Sequence, residues 1–192
     1  MGYCIGSHKL ISMMNLSTER LNLRPVTETD IEKIHELNSL EETQRFNTSG
    51  ISETIHETRC LCEKWIDETA TGNNRHYTFV VELKDQHQLI GLIAINSGKE
   101  KYRNAEVWFK LHVDYWNKGY ATEALKKIIE FGFTYLNLHR IEAGCATENS
   151  GSIKVLEKAG MLREAHTRQL LPLPSGWSDN YGYAILESDL NY

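Results

Sequence analysis

The sequence predicts a single α/β domain, and three observations support this prediction. The chain has 192 residues, which is enough for one domain with a substantial core. Two β-rich runs joined by a short polar segment predict a hairpin before residue 100. After that hairpin, a strand, a glycine-containing turn and a long helix follow one another directly. The chain therefore contains both helices and strands, but they do not follow the regular βαβαβ order of a dinucleotide-binding fold.

The composition is typical of a soluble globular protein. Hydrophobic residues make up 41% and charged residues 24% of the chain, a balance that excludes disordered, collagen-like and membrane-spanning proteins. The net charge is -5 and the 21 Lys and Arg residues are scattered, which argues against nucleic-acid binding. The first ten residues lack the charged and apolar regions of a signal peptide, so we expect a cytoplasmic protein.

The cysteines do not predict a disulfide framework or a metal site. There are four of them, at positions 4, 60, 62 and 145, and their spacing is too uneven for a disulfide-rich fold. Cys60 and Cys62 would supply half of a zinc site, but no second Cys or His pair lies at zinc-finger spacing. We therefore expect free thiols and no metal.

The N-terminal part predicts a tail, a strand and a helix. Residues 1–16 show no periodicity and are assigned to a tail, so that the domain spans residues 17–192. Alternating apolar residues around Arg24 predict the first strand. Thr29 and Glu32 would then form a capping box for an amphipathic helix.

A second amphipathic helix and the hairpin come next. Ser52 would open this helix, and the turn-forming residues 72–74 would end it. The runs 77–83 and 89–95 are rich in β-branched and aromatic residues, and they would pair across the polar segment between them.

The C-terminal half begins with a strand that has apolar residues on both faces. This pattern, over residues 105–113, is typical of a central strand covered on both sides. From Ala121 the apolar positions recur at helical spacing, and Gly160 stands where a later helix would end in a left-handed residue. The remaining elements are predicted as a strand over 139–146, a helix from Asn149 or Ser150, and strands over 163–171 and 180–186 separated by a loop with Pro172, Pro174 and Gly176.

The turn into the long helix predicts an anion site. Backbone N–H groups at a helix N-terminus attract anions, and the small residues Gly119 and Ala121 would let a phosphate approach the main chain. Lys118 would add a positive charge. Taken alone, such a turn more often only connects a strand to a helix. A dinucleotide-binding site is disfavoured because the other glycines of that motif are missing.

Four segments together resemble one known family. Residues 106–124, EVWFKLHVDYWNKGYATEA, closely resemble the acetyl-CoA-binding region of the GNAT acetyltransferase superfamily, and in particular its RimJ/RimL branch. Residues 18–25, 138–143 and 148–161 resemble further segments of that branch, in the same order. The resemblance spans about residues 17 to 190, and the set is far more specific than any one segment.

The resemblance implies a GNAT fold, in which a central mixed sheet with two splayed strands is flanked by helices. It also implies that acetyl-CoA is a co-substrate whose pantetheine arm lies between those strands. Phe109, Lys110 and Leu111 would contact the arm through their main chain, and Asn149 would hydrogen-bond to it. The pyrophosphate would be held by the backbone amides of Asn117, Lys118, Gly119, Tyr120, Ala121 and Thr122.

Family enzymes transfer the acetyl group directly to an amine, which requires a base for the amine proton and an acid for the leaving thiolate. Glu106, whose family counterpart faces the acceptor, is the candidate base. Many members have a catalytic tyrosine at the position of Leu156, so we assign the acid role to Ser152, close to the expected thioester sulfur. Glu106 fits a solvated strand-end carboxylate equally well, and Ser152 fits a small helix residue.

For this branch the first acceptor to consider is the N-terminal α-amine of a protein, for example a ribosomal protein. A small amine such as a polyamine or an aminoglycoside is the alternative enzyme function, and a non-catalytic acyl-CoA-binding sensor is the alternative outside enzymes. Phe46, Asn47 and Trp65 fall in the region that forms the acceptor wall in relatives. Cys145 is expected to be a buried thiol because direct transfer needs no nucleophile. The oligomeric state, a homodimer included, stays open.

Overall fold

A computed structural model of the protein describes residues 14–48, 53–71 and 75–190. The α-helices of these residues are Ile31–Ser39 (α1), Glu41–Gln44 (α2), Ile55–Ala70 (α3), Tyr120–Thr134 (α4) and Ser150–Lys158 (α5). The strands are Leu16–Ser17 (β1), Leu21–Pro25 (β2), His76–Leu83 (β3), Gln88–Ser97 (β4), Asn104–Leu111 (β5), Arg140–Ala146 (β6), Leu162–Leu173 (β7) and Gly176–Leu186 (β8).

All the strands join one mixed sheet in the order β1-β2-β3-β4-β5-β6-β8-β7. The β5–β6 pair is parallel and the other neighbours are antiparallel. β5 and β6 pair only at Asn104↔Arg140, Ala105↔Ile141 and Glu106↔Glu142. Both strands continue beyond these positions without pairing to each other, so they splay apart. The mixed sheet with splayed central strands is confirmed.

The sheet carries an apolar layer on each face. On one face α4 contributes Leu125, Ile128 and Ile129 to a core that includes β3, β4 and β5. On the other face α1 and α3 pack over Val80 and Leu92. Burying such a side chain stabilises the fold by roughly 1.5 to 3 kcal/mol. These two layers fix β5 and β6 in the middle of the molecule, where the splay occurs.

The start of α1 differs from the predicted capping box. The main-chain N–H and the hydroxyl of Thr27 donate to the Asp30 carboxylate at 2.9 and 2.7 Å. Asp30 also receives two hydrogen bonds from Arg24, each 2.8 Å long. The assignment to Thr29 and Glu32 is wrong because this second partner, from β2, holds Asp30 at the helix start.

The other elements follow the sequence pattern with shifted ends. α3 begins after Thr54, whose side chain accepts the N–H of Glu57 at 3.3 Å, whereas Ser52 and residues 72–74 lie outside the described residues. The β3–β4 hairpin is confirmed. β5 ends at Leu111, earlier than predicted, since residues 113–115 form a short 3-10 helix. Gly160 has the predicted positive φ, 93°.

At both edges of the sheet, the strands include residues that were predicted to lie in a loop or in a tail. Pro172 lies inside β7, opposite Trp177 of β8, so the predicted loop shrinks to a tight hairpin. Proline is tolerated there because β7 is the edge strand. At the N-terminal end, Met14 is buried and Leu16 pairs with Leu23, so these residues belong to the domain and not to a tail.

Candidate active site

The splay of β5 and β6 opens a cavity of about 730 Å³. Several predicted site residues line this cavity together, namely Glu106, Phe109, Lys110, Asn149 and Ser152. The residues expected in the acceptor wall, Phe46, Asn47 and Trp65, line it as well. Residues separated by more than 100 positions therefore meet at one place.

Leu111 does not line the cavity. Its side chain is buried in the core, 6% exposed, and its carbonyl oxygen accepts the indole N–H of Trp116 at 2.7 Å. This hydrogen bond ties the bend after β5 back to the strand. A main-chain contact between Leu111 and pantetheine stays a prediction, and the role of Trp116 was not found from the sequence.

The turn before α4 has the left-handed geometry that its glycine predicts. Gly119 is the N-cap residue with φ 82°, and Asn117 also has a positive φ, 59°. A second cavity, of about 360 Å³, lies beside Gly119 and Thr122. Lys126 and Lys158, which the sequence did not indicate as site residues, line it too, together with Glu19 and with Glu123, whose charge Arg20 neutralises. Backbone N–H groups at a helix N-terminus beside two lysines suit a phosphate. The side chains of the other predicted turn residues, Asn117, Lys118, Tyr120 and Ala121, line neither cavity.

A clamp of polar contacts, formed by Thr18, Arg20 and Glu123, holds this turn against the start of β2. The Glu123 carboxylate accepts the Thr18 hydroxyl at 2.5 Å, the Arg20 N–H at 2.9 Å and the Arg20 guanidinium at 2.7 Å. The Arg20 guanidinium also donates to the carbonyl of Lys118 at 3.1 Å. Burial would raise the pKa of Glu123, but these hydrogen bonds outweigh it and lower the pKa. The clamp fixes the turn to a residue about 100 positions earlier in the chain.

Asn149 and Ser152 form the N-terminal turn of α5. The Asn149 side-chain oxygen accepts the main-chain N–H of Ser152 at 3.0 Å, so this oxygen caps the helix. Leu156, one turn later, is 1% exposed and faces the same cavity with an apolar side chain. The arrangement places one hydroxyl, that of Ser152, near the start of α5 at the cavity wall.

The opposite wall is built from alternate residues of β5 and from α1 and α3. Trp108 packs against Trp65 with ring centroids 6.1 Å apart. The Lys110 ammonium donates to the Asn38 side-chain oxygen at 2.9 Å. Burial lowers the pKa of Lys110 to about 8. The family resemblance implies only a main-chain role for Lys110, whereas strand alternation places its side chain on the same face as Glu106 and Trp108.

Cys145 also lines the cavity, as a buried thiol, and burial raises its pKa to about 11. A thiol that stays protonated is a poor nucleophile, in line with its expected passive role. Within residues 14–48, 53–71 and 75–190, no cluster of three or more His, Cys, Asp or Glu side chains is arranged to hold a metal ion. No helix in those ranges is both long enough and apolar enough to cross a membrane.

Comparison with known proteins decides the family. A family profile described as "Acetyltransferase (GNAT) domain" matches residues 20–162. The chain belongs to the GNAT acetyltransferase family. This GNAT protein is 34% identical over 180 residues to the uncharacterized N-acetyltransferase YnaD of Bacillus subtilis, covering 93% of this chain and 100% of the relative. It is therefore an N-acetyltransferase that depends on acetyl-CoA.

Two solved structures share the GNAT fold. A spermidine N-acetyltransferase from Vibrio cholerae, in complex with CoA and spermine, is 28% identical with a TM-score of 0.80, covering 91% of this chain and 100% of that one. Mycobacterium smegmatis RimJ, in complex with CoA-disulfide, is 24% identical with a TM-score of 0.79, covering 90% and 84%. At that identity the likeness to RimJ shows the fold alone, so the RimJ/RimL branch stays a prediction.

Proposed function

We propose that this N-acetyltransferase transfers the acetyl group of acetyl-CoA directly to a primary amine that enters the cavity between β5 and β6. The observation that carries the proposal is the splay, because the two central strands part just after Glu106 and Glu142. The main chain of β5 beyond Glu106 thus has a side without a neighbouring strand, into which the extended pantetheine arm would fit as an additional strand.

The second cavity supports the position of the other end of acetyl-CoA. The amides of Asn117 to Thr122 would bind the pyrophosphate, and glycine at position 119 supplies the positive φ of this turn without a side chain in the way. Lys126 and Lys158 would neutralise part of its charge. Phe109, Lys110 and Leu111 would then pair through their main chain with the pantetheine amides along β5.

Transfer forms a bond between the amine nitrogen and the acetyl carbon and breaks the carbon–sulfur bond of the thioester. The amine must lose a proton, and we assign the base role to Glu106, which is exposed and lines the cavity at the last position where β5 pairs with β6. Ser152, as the proposed acid, would hydrogen-bond to the leaving sulfur and pass it a proton, which the proton released by the amine replaces, so that CoA leaves as a thiol. The apolar Leu156 beside it cannot serve as the acid.

Two acceptor classes fit this chemistry. The sequence-based proposal is a protein N-terminal α-amine, which would have to enter past the segment that contains Phe46 and Asn47. A small amine is supported by a specific observation, the 28% identity to a spermidine N-acetyltransferase over nearly the whole chain. We retain the N-terminal α-amine as the first proposal and the small amine as the second, and a cytoplasmic location goes with either.

The deciding experiment combines calorimetric titration of acetyl-CoA with CoA release on an acceptor panel. The panel contains peptides with free N-termini, polyamines, aminoglycosides and amino acids, with N-acetylated peptides as the matched control. We expect saturable binding and amine-dependent CoA release. Binding without release on any amine would identify the non-catalytic sensor, and no binding to folded protein would refute the proposed site.

A further inference from the structure

Glu106, Trp108 and Lys110 are alternate residues of β5 and therefore point to one face of the sheet. That face is the one covered by α1 and α3, since Trp108 packs in their core and Lys110 reaches Asn38 of α1. All three residues line the cavity. Positions four residues apart along a strand are separated by about 13 Å. Along β5, this wall of the cavity thus has the Glu106 carboxylate at one end, the Trp108 indole in the middle and the Lys110 ammonium at the other end.

Among the residues that the structure describes, Lys110 has no acidic partner. Among the described residues its ammonium forms no ion pair within 4.0 Å, and its one hydrogen bond goes to the neutral amide of Asn38. The remaining segments, residues 1–13, 49–52, 72–74 and 191–192, contain no Asp or Glu. A partly buried ammonium without an anion is unfavourable, and one amide oxygen uses only one of its three N–H groups.

The carbonyl and the side chain of Asn38 are both engaged. The side chain of Gln44, which is buried, donates to the main-chain oxygen of Asn38 at 2.5 Å. Asn38 itself is 6% exposed. The partner of Lys110 is therefore fixed in the wall, which keeps the ammonium at the edge of the cavity and leaves its other N–H groups for a ligand.

We propose that Lys110 binds an anionic group of the acceptor, so that the physiological acceptor is an amine that also carries a carboxylate. This inference rests on the proposed acetyl transfer, and of the two proposed acceptor classes it favours the second, the small amine, over the protein N-terminus. The amine would lie toward Glu106, the carbon chain would pack on Trp108 and the carboxylate would pair with Lys110. A polyamine would instead bring a second ammonium toward Lys110, and this like-charge contact disfavours it.

The test uses three acceptors of equal length that differ only at one end: 6-aminohexanoate, 6-aminohexanamide and 1,6-diaminohexane. Homologues with four and eight carbons bracket the span from Glu106 to Lys110. We expect kcat/KM to be higher for the carboxylate than for the amide by about tenfold or more, because a charge-assisted hydrogen bond to Lys110 stabilises the bound carboxylate. The diamine should have the lowest kcat/KM.

The variants address Lys110 through the ratio of kcat/KM for carboxylate and amide. Lys110→Met should reduce this ratio to near one, and Lys110→Arg should restore much of it. Asn38→Asp offers the ammonium an internal anion and should also lower the ratio. Acetyl-CoA affinity and thermal unfolding, measured for each variant, separate loss of acceptor recognition from loss of the cofactor site or the fold.

Some outcomes contradict this inference and leave acetyl transfer intact. These are faster turnover of the diamine or of a peptide amine than of every carboxylate acceptor, and an unchanged ratio in folded Lys110→Met. Failure of every amine to release CoA, despite acetyl-CoA binding, would refute the proposed transfer itself and with it the role of Lys110.

Discussion

The two halves of the proposed site, one for acetyl-CoA and one for the acceptor, are built in different ways. The proposed cofactor half uses main-chain geometry, namely the parted β5 and β6 and the positive φ of Gly119. The proposed acceptor half uses side chains from α1, α3 and β5, with Trp65, Trp108 and Lys110 at its centre. Main-chain geometry binds groups that every acetyl-CoA molecule shares, whereas side chains distinguish one amine from another. Cofactor and acceptor recognition should therefore respond to separate substitutions.

The two halves are also anchored by separate ion pairs. Arg20 and Glu123 fix the turn of the cofactor half to β2, with a shortest distance of 2.6 Å. Arg24 links Asp30 at the start of α1 to Glu82 of β3, at 2.8 and 2.9 Å. Arg20 directly precedes β2 and Arg24 lies in it, so β2 supports both halves without lining the larger cavity.

The largest expected effect is loss of acetyl-CoA binding in Gly119→Glu. The substitution forces a non-glycine residue to φ 82° and brings a carboxylate to the proposed pyrophosphate site, so we expect affinity to fall by about 100-fold or more. Calorimetric titration measures it. Gly176→Glu is the matched control, since Gly176 has φ 113°, open space around its Cβ position and a place in the distant β7–β8 hairpin. Equal loss in both variants would contradict a local role of the turn.

Glu106→Gln should come next and should affect turnover rather than acetyl-CoA binding. Removing a general base lowers kcat by roughly 100-fold or more, and the isosteric amide keeps the size of the side chain. Steady-state CoA release with a saturating amine measures the effect. Glu142→Gln is the control, because Glu142 is the registered neighbour of Glu106 on β6 but pairs with Arg140 at 2.7 Å. A kcat within a few-fold of wild type for Glu106→Gln would exclude the base role.

Arg24→Met should weaken the acceptor half through stability. Breaking a partly buried ion pair that leaves two carboxylates without their cation costs about 2 to 4 kcal/mol of unfolding free energy. Burial alone would raise the pKa of Asp30 and of Glu82, but hydrogen bonds from Arg24 lower both. A depressed pKa stabilises the fold above the ordinary values of 3.8 and 4.5, and this stability is lost as the pH falls below them.

The stability difference between wild type and Arg24→Met should therefore be full at pH 7 and shrink as the pH falls below the ordinary carboxyl pKa values of 4.5 and 3.8. Urea unfolding at a series of pH values measures it. Lys64→Met serves as the control, since its contact with Glu68 is exposed and 3.9 Å long and should contribute little. A difference that does not change with pH would show that the network acts through packing alone.

The smallest expected effect is that of Ser152→Ala. Loss of a single hydrogen bond to the leaving sulfur should lower kcat by about tenfold, without loss of acetyl-CoA affinity. Single-turnover CoA release measures this step directly. Ser150→Ala, at an exposed position of the same helix turn, should leave kcat unchanged. Identical rates for Ser152→Ala and wild type would leave the thiolate to be protonated by solvent.

Features of the fold that depend on neighbouring residues could be predicted from the sequence, whereas contacts between distant residues could not. The β3–β4 hairpin, the turn at Gly119 and the α5 cap at Asn149 depend on local signals, and the structure has all of them. The Arg20–Glu123 clamp and the contact of Lys110 with Asn38 were not predicted, because each joins residues at least 70 positions apart. Asp30 was missed for a different reason: its partner Arg24 is only six positions away, but it belongs to β2, and the local pattern Thr29 and Glu32 does not reveal that contact.

The short β5–β6 pairing has a consequence for amide hydrogen exchange. In the middle of the sheet, the two strands share a ladder at only three positions, so the amides of β5 beyond Glu106 that face β6 are open to solvent exchange. The β3–β4 hairpin is paired at eight positions with one register shift between Val81 and Glu82, so we expect its amides to be protected up to global unfolding. A ligand strand in the gap would protect residues 107–110 and leave the hairpin unchanged. Deuterium uptake at this one segment would therefore report occupancy of the cavity even when no acceptor amine is present.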